Sequence, residues 1–184
     1  IRYIAVECLP ASQASIRQAA AYAVGVAAQY GGSSYTQVCV ETLPSLFKIA
    51  TFPDARAEEN INATENCIAA IPKICANFSA SVPDMDKVLQ DWVLLLPIVQ
   101  DDEAATYAYN FLADLIQNQH PAVMSQTHKV VEDVLEAISH RSISGAVAEK
   151  ISPGARALLA SLPLEKAMTL VQKYSSSSEV AKYF

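Results

Sequence analysis

Paired amphipathic stretches return along this chain at a nearly constant spacing, and that recurrence limits its architecture more than any other feature. Gln13 to Tyr30 carries Ile16, Ala20, Ala23, Val24 and Ala27 at the i, i+4, i+7 rhythm of one helix face. Gly31-Gly32 stops that helix, and Ser33 or Ser34 can open a second over Tyr35 to Ala50. Its apolar side is Val38, Leu43, Leu46, Phe47 and Ile49, and Pro44 should bend it by removing a backbone hydrogen bond. A polar linker from Phe52 to Asn60 follows, and the pattern restarts with Ile68, Ile71, Cys75 and Phe78 in a stripe flanked by Cys67 and Ile74. Pro83-Asp84 opens the partner helix, which carries Met85, Val88, Leu89, Trp92, Leu95 and Leu96 and halts near Pro97.

The third pair is the most regular. Asp101 or Asp102 caps a helix with Ala104, Tyr107, Ala108, Phe111, Leu112, Leu115 and Ile116 along one face. His120-Pro121 turns the chain into a second helix marked by Val123, Thr127, Val130, Val131, Val134 and Ile138. A fourth, less regular pair spans Ser144 to Tyr174, with interruptions expected at Pro153 and Pro163, and Ser175 to Ser178 starts a flexible tail. Alternation at period two never persists, so no strand is expected.

The middles of the first helices, Val24, Ile71 and Leu112, lie 47 and 41 residues apart, within the ~40–47-residue period of HEAT and armadillo units. A two-helix unit of that length cannot bury both faces alone, but stacked on its neighbours it forms a continuous core. The expectation is an all-α solenoid with units at 13–56, 57–100, 101–141 and 142–175, a partial unit at 1–12 and a tail at 176–184. An ordinary helical bundle is the alternative. Ile1 to Leu9 resembles the end of a helix whose partner lies outside this chain, as in a fragment of a longer protein.

Composition excludes several classes. Hydrophobic residues make up 52% and charged residues 17% of the 184 residues, enough apolar surface to offset the entropy of ordering. A net charge of −6 disfavours nucleic acid, whose binding rests on Lys and Arg neutralising phosphates, and suits a basic partner. No apolar run reaches the ~18–20 residues of a membrane span. Cys8, Cys39, Cys67 and Cys75 sit at irregular spacings in apolar helical patterns, as reduced core thiols of a cytosolic or nuclear protein do. The sequons at Asn62 and Asn77 therefore carry little weight.

Enzyme chemistry finds little support in the side chains. His120, His128 and His140 do not pair with Cys or Glu at metal-ligand spacing, and no GxSxG elbow or phosphate-cradling loop occurs. Neither a metal nor a cofactor is expected. Asp101-Asp102-Glu103 suits a helix cap, with contact to a basic ligand as the other reading. Trp92 fits the core better than a ligand platform. Tyr107 shares the buried stripe with Phe111, which leaves Tyr109 as the candidate for an exposed contact.

Three stretches resemble a known family. RQAAAYAVGVAAQYGG (Arg17 to Gly32), NATENCIAAIPKIC (Asn62 to Cys75) and WVLLLPIVQDDEAATYAYNFLADLIQNQHPAV (Trp92 to Val123) are similar to HEAT repeats of the karyopherin-β (importin-β) nuclear transport receptors. The similarity covers about Ile16 to Ile138 and loosens beyond. Pro72 departs from it and should kink its helix. The resemblance implies a right-handed superhelix of stacked antiparallel helix pairs, a HEAT-repeat α-solenoid forming the C-terminal part of a non-enzymatic import receptor that moves between cytoplasm and nucleus through the nuclear pore. It implies basic cargo proteins as partners, phenylalanine-glycine nucleoporins held in depressions between outer helices, and Ran-GTP bound mainly by units absent from this chain. It also places second helices on the concave surface. There Glu41, Asp86, Asp91, Glu132, Asp133 and Glu136, which lie off the apolar stripes, would face cargo. A solvated polar face accounts for the same carboxylates, and a structural HEAT scaffold in a stable assembly is the other functional reading.

Overall fold

A computed structural model describes residues 1–184. Every regular element is helical. The chain divides into two compact units, Ile1–Val88 and Leu89–Phe184.

In the first unit a wide turn, Ile4–Cys8, leads to α1 (Ala14–Tyr30). Gly32, at φ 71°, supplies the left-handed conformation that lets the chain reverse after α1. The second helix of this pair is broken in two, as α2 (Thr36–Glu41) and α3 (Leu43–Ala50). The bend expected from Pro44 is realised as a break two residues earlier, at Thr42. Pro44 cannot donate to Val40, and the Thr42 hydroxyl bonds the Cys39 carbonyl at 2.6 Å. α4 (Ile61–Asn77) then runs unbroken through Pro72. It makes its most extensive contact with α1 and a further one with α3, so it is buried on nearly every side from Ala63 to Cys75.

α1 is rotated from the expected orientation. Its buried residues are Arg17, Ala20, Ala21, Val24, Gly25 and Ala28, whereas Ile16 is exposed and Ala23 and Ala27 are half-buried. Arg17 sets this rotation. Its guanidinium donates to the Ala11 and Ser12 carbonyls at 2.9 and 2.6 Å and to Asn60 Oδ1 at 2.6 Å. One buried side chain thus ties the segment before α1 to the start of α4. The linker before α4 is held a second time, by the Thr64 hydroxyl on the Ala55 carbonyl at 2.7 Å and by Arg56 at 3.9 Å from Glu65, which is fully buried.

α5 (Met85–Leu95) starts in the first unit and ends in the second. The second unit continues with α6 (Asp102–Gln117), a single turn α7 (Pro121–Met124), α8 (Thr127–Ser139), α9 (Gly145–Ser161) and α10 (Leu164–Tyr174). Asp101 caps α6 by accepting from the Ala104 amide at 2.9 Å, and His120 Nδ1 caps α7 by accepting from Ala122 at 3.2 Å. α9 packs on both α6 and α8, as α4 packs on both α1 and α3. Trp92 is fully buried, edge-on to Phe111 with ring centroids 5.6 Å apart.

Two expectations for this unit fail. Pro163 separates α9 from α10, but Pro153 lies inside an uninterrupted α9. Pro153 and Glu149, whose carbonyl loses its donor, are both exposed, so water can take over that bond. Nor is the segment after Ser175 a free tail. Val180 is buried, Arg141 binds Glu179 at 2.8 Å, and the Tyr183 hydroxyl accepts from the Gly145 amide at 3.0 Å.

α9 lies so close to α6 that a Cβ built on Gly154 would stand 2.6 Å from Ile116 Cγ2. Gly154→Val should therefore lower the unfolding free energy by about 1–3 kcal/mol through overpacking. Urea denaturation monitored by circular dichroism checks this, and an unchanged midpoint would mean the two helices can separate at no cost.

Candidate functional site

Four acidic side chains projected from second helices sit in the second unit: Asp91 on α5 and Glu132, Asp133 and Glu136 on α8. Their surroundings differ sharply. Asp133 is buried, with Lys129 Nζ at 2.6 Å from its carboxylate. Burial and the Lys129 pairing take it off the outward, cargo-facing side expected for it. The i, i+4 spacing of Lys129 and Asp133 was the signal for this pairing.

Lys129 and Asp133 belong to a buried polar network that anchors Leu96 to Ile98, irregular backbone after α5. Lys129 Nζ also donates to the Leu96 carbonyl at 2.7 Å. The Ile98 amide donates to the Tyr109 hydroxyl at 3.3 Å, which donates in turn to the Asp133 carbonyl at 3.2 Å. The Ser142 hydroxyl lies 3.0 Å from the Ile98 carbonyl and 3.1 Å from that of Ala137. Tyr109, expected at the surface, is 0% exposed and is the hub of this network, whereas Tyr107 is half-buried. An amphipathic count puts Tyr109 off the stripe. It could not show that a loop would cover that side of α6.

Glu132 and Glu136 are half-buried and already partnered. Lys173 of α10 places Nζ 2.9 Å from Glu132 and 3.7 Å from Glu136. The Tyr174 hydroxyl bonds the Glu136 carboxylate, and His140 Nδ1 lies 3.6 Å from it. The hydrogen bond to Glu132 pushes the Lys173 pKa upward. Burial, helped by the bond to Glu136, raises Tyr174 to about 12, so its hydroxyl keeps its proton throughout the neutral range. α10 is otherwise lightly seated, with only Leu170 and Tyr174 buried. Beneath it lies an apolar groove of about 450 Å³ lined by Leu135, Leu159, Leu170, Val171, Tyr174 and Phe184.

In the first unit Glu41 ends α2, exposed, accepting from Gln37 at 2.8 Å with Arg2 at 3.6 Å. Asp86 is exposed in the first turn of α5, where its charge favours the helix dipole; Asp91, further along α5, is half-buried. Adjacent first helices α1 and α4 end at a second depression of about 310 Å³, lined by residues that include Ala28, Gln29, Ser33, Asn77 and Phe78. No group of three His, Cys, Asp or Glu side chains comes together to hold a metal ion. No helix is long and apolar enough to cross a membrane. All four cysteines are free thiols. Burial pushes Cys67 and Cys75 up to about 12, so neither is a nucleophile at neutral pH.

Antiparallel helix pairs stacked first helix on first helix, with polar second-helix faces and short connectors, define a HEAT-repeat α-solenoid, a class of protein-binding scaffold. Residues 101–152 match the importin repeat family. Importin subunit beta-3 of Saccharomyces cerevisiae is 38% identical over 97% of this chain, and the chain spans 17% of that relative's length. The crystal structure of Kap121p bound to RanGTP superposes with a TM-score of 0.82 at 36% identity, covering 100% of this chain and 17% of that one. Kap121p bound to Nup53p gives 0.80 at 35%, covering 100% and 16%. The chain is homologous along its length to the karyopherin-β nuclear transport receptors.

The network around Leu96 to Ile98 generates a graded expectation. Tyr109→Phe leaves the Ile98 amide without its acceptor and should cost about 1–3 kcal/mol. Lys129→Met removes the ammonium beside the buried Asp133 carboxylate and should cost more, about 3–5 kcal/mol. Denaturant midpoints measure both, and the reverse order would remove Lys129 and Asp133 from the network's centre.

Proposed function

We propose that this chain is a C-terminal HEAT-repeat segment of a nuclear import receptor, a non-enzymatic scaffold that carries proteins with basic localisation signals through the nuclear pore under Ran-GTP control. The observation that carries the reading is the whole-chain similarity, in sequence and backbone, to a karyopherin crystallised with RanGTP and with Nup53p. In this reading the repeat units are 13–56, 57–100, 101–141 and 142–175, which would take α1 with α2–α3, α4 with α5, α6 with α8, and α9 with α10 as their helix pairs. Such a receptor works in both cytoplasm and nucleus.

Basic ligands are the partners its charge suits. With 19 acidic against 13 basic residues, the surface attracts lysine-rich segments and speeds their encounter. Glu132 and Glu136 are the carboxylates best placed for such a ligand, because Lys173 already demonstrates how an ammonium fits between them. Asp86 and Glu41 offer exposed charge on the first unit's second helices. The depression at the ends of α1 and α4 has room for one aromatic ring, and weak contacts of that kind suit phenylalanine-glycine segments that must exchange quickly.

A labelled lysine-rich peptide should bind the chain weakly and lose affinity steeply as salt rises, since exposed charges are screened within ~8 Å at physiological ionic strength. Glu132→Gln with Glu136→Gln should weaken it about 2–5-fold, the scale of exposed ion pairs. In the full-length receptor Ran-GTP should release the bound peptide. Retention in the presence of Ran-GTP would point instead to a fixed scaffold subunit.

A further inference from the structure

The two carboxylates best placed for a basic ligand are occupied by the chain itself. We propose that α10 is an autoinhibitory gate: its Lys173-Tyr174 pair holds Glu132 and Glu136 of α8, and an incoming lysine-rich segment must displace it. The inference rests on the receptor reading above and adds to it how that surface is regulated.

Three observations support a gate rather than a fixed packing element. The first is chemical mimicry. Lys173 places its ammonium against both carboxylates, at 2.9 and 3.7 Å, while the Tyr174 hydroxyl bonds Glu136. The ammonium also lies 5.0 Å from the Tyr174 ring centre. A lysine-bearing ligand would make the same contacts with the same atoms. The second is weak seating. Leu170 and Tyr174 alone are buried, and the groove of about 450 Å³ beneath α10 forfeits the dispersion contacts a filled interface would make. The third is the outer face. Leu164 and Met168, one turn apart, are 75% and 61% exposed, so no residue of this chain packs over that side of α10. The ion pairs holding it are half-exposed, the kind that salt and competitors weaken.

A closed gate lowers apparent affinity by the fraction of molecules in which it stands open. Loosening the gate must therefore strengthen ligand binding, the opposite of what losing a true contact does. The test uses a fluorescein-labelled peptide of lysines spaced by Gly and Ser, titrated into the chain and into the Lys173→Gln/Tyr174→Phe variant. Both replacements keep the stem or ring that packs on α8. The variant should bind about 3–10-fold more tightly, since each pair removed is of modest strength. In the wild-type chain, saturating peptide should speed amide hydrogen exchange in residues 164–174 while slowing none of them. Equal affinity for the two proteins, or unchanged exchange in α10 with peptide bound, overturns the gate and leaves the receptor reading intact. No binding by either protein, or by the full-length receptor, overturns both.

Discussion

Close approach between consecutive first helices is the constraint on which the rest of the structure depends. α1 can press along α4 because it offers Ala20, Ala21, Gly25 and Ala28, and a Cβ on Gly25 would already touch Ala70 at 3.5–3.6 Å. α6 and α9 meet the same way, with Gly154 over Ile116. Small side chains at these contacts let backbones come together and leave the larger ones, Ile68, Ile71, Ile74 and Leu112, to fill the space behind. Because α4 and α9 must each also receive a second helix, they are covered on more than one side. The second helices keep a polar face.

Stacking of this kind leaves linkers whose backbone groups need partners, and buried polar side chains supply them. Arg17 holds the Ala11 and Ser12 carbonyls, Thr64 holds that of Ala55, and Lys129, Tyr109 and Ser142 hold the stretch from Leu96 to Ile98. Burying the Asp133 and Glu65 carboxylates carries a desolvation cost, which the half-buried Lys129 and the exposed Arg56 offset. What the pairs contribute is placement, since each fixes one linker against one helix. The same logic explains why Asp133 and Glu136, three residues apart on α8, have different roles. Asp133 points under the Leu96 to Ile98 segment, whereas Glu136 points at α10.

Helix existence and pairing were legible in the sequence because amphipathic period and capping residues are local signals. Asp101, His120 and Gly31-Gly32 punctuate the helices where their chemistry suggests. Facing was less legible. Ile16 and Arg17 are neighbours, and hydrophobicity alone buries the wrong one; only the loop carbonyls and Asn60, brought in by tertiary structure, make Arg17 the inner residue. Tyr109 was misplaced for the same reason, since its cover is a loop rather than a helix. Pro153 shows the limit of punctuation: on an exposed helix face a proline removes a bond that water replaces, so the helix continues. The acidic site was half legible. Glu132 and Glu136 could be found off the apolar stripe, but their pairing with Lys173 lies 41 and 37 residues away in sequence.

The account comes down to whether the carboxylates of α8 meet a basic ligand. Carbodiimide labelling of the chain, read by mass spectrometry with and without a saturating lysine-rich peptide, addresses those two oxygen pairs directly. With peptide present, the carbodiimide-activated Glu132 and Glu136 should form amide links to peptide lysines, while the exposed Asp102 and Glu103 at the start of α6 form none. If the peptide binds and Glu132 and Glu136 form no such links, these carboxylates serve only to seat α10, and the ligand surface lies elsewhere.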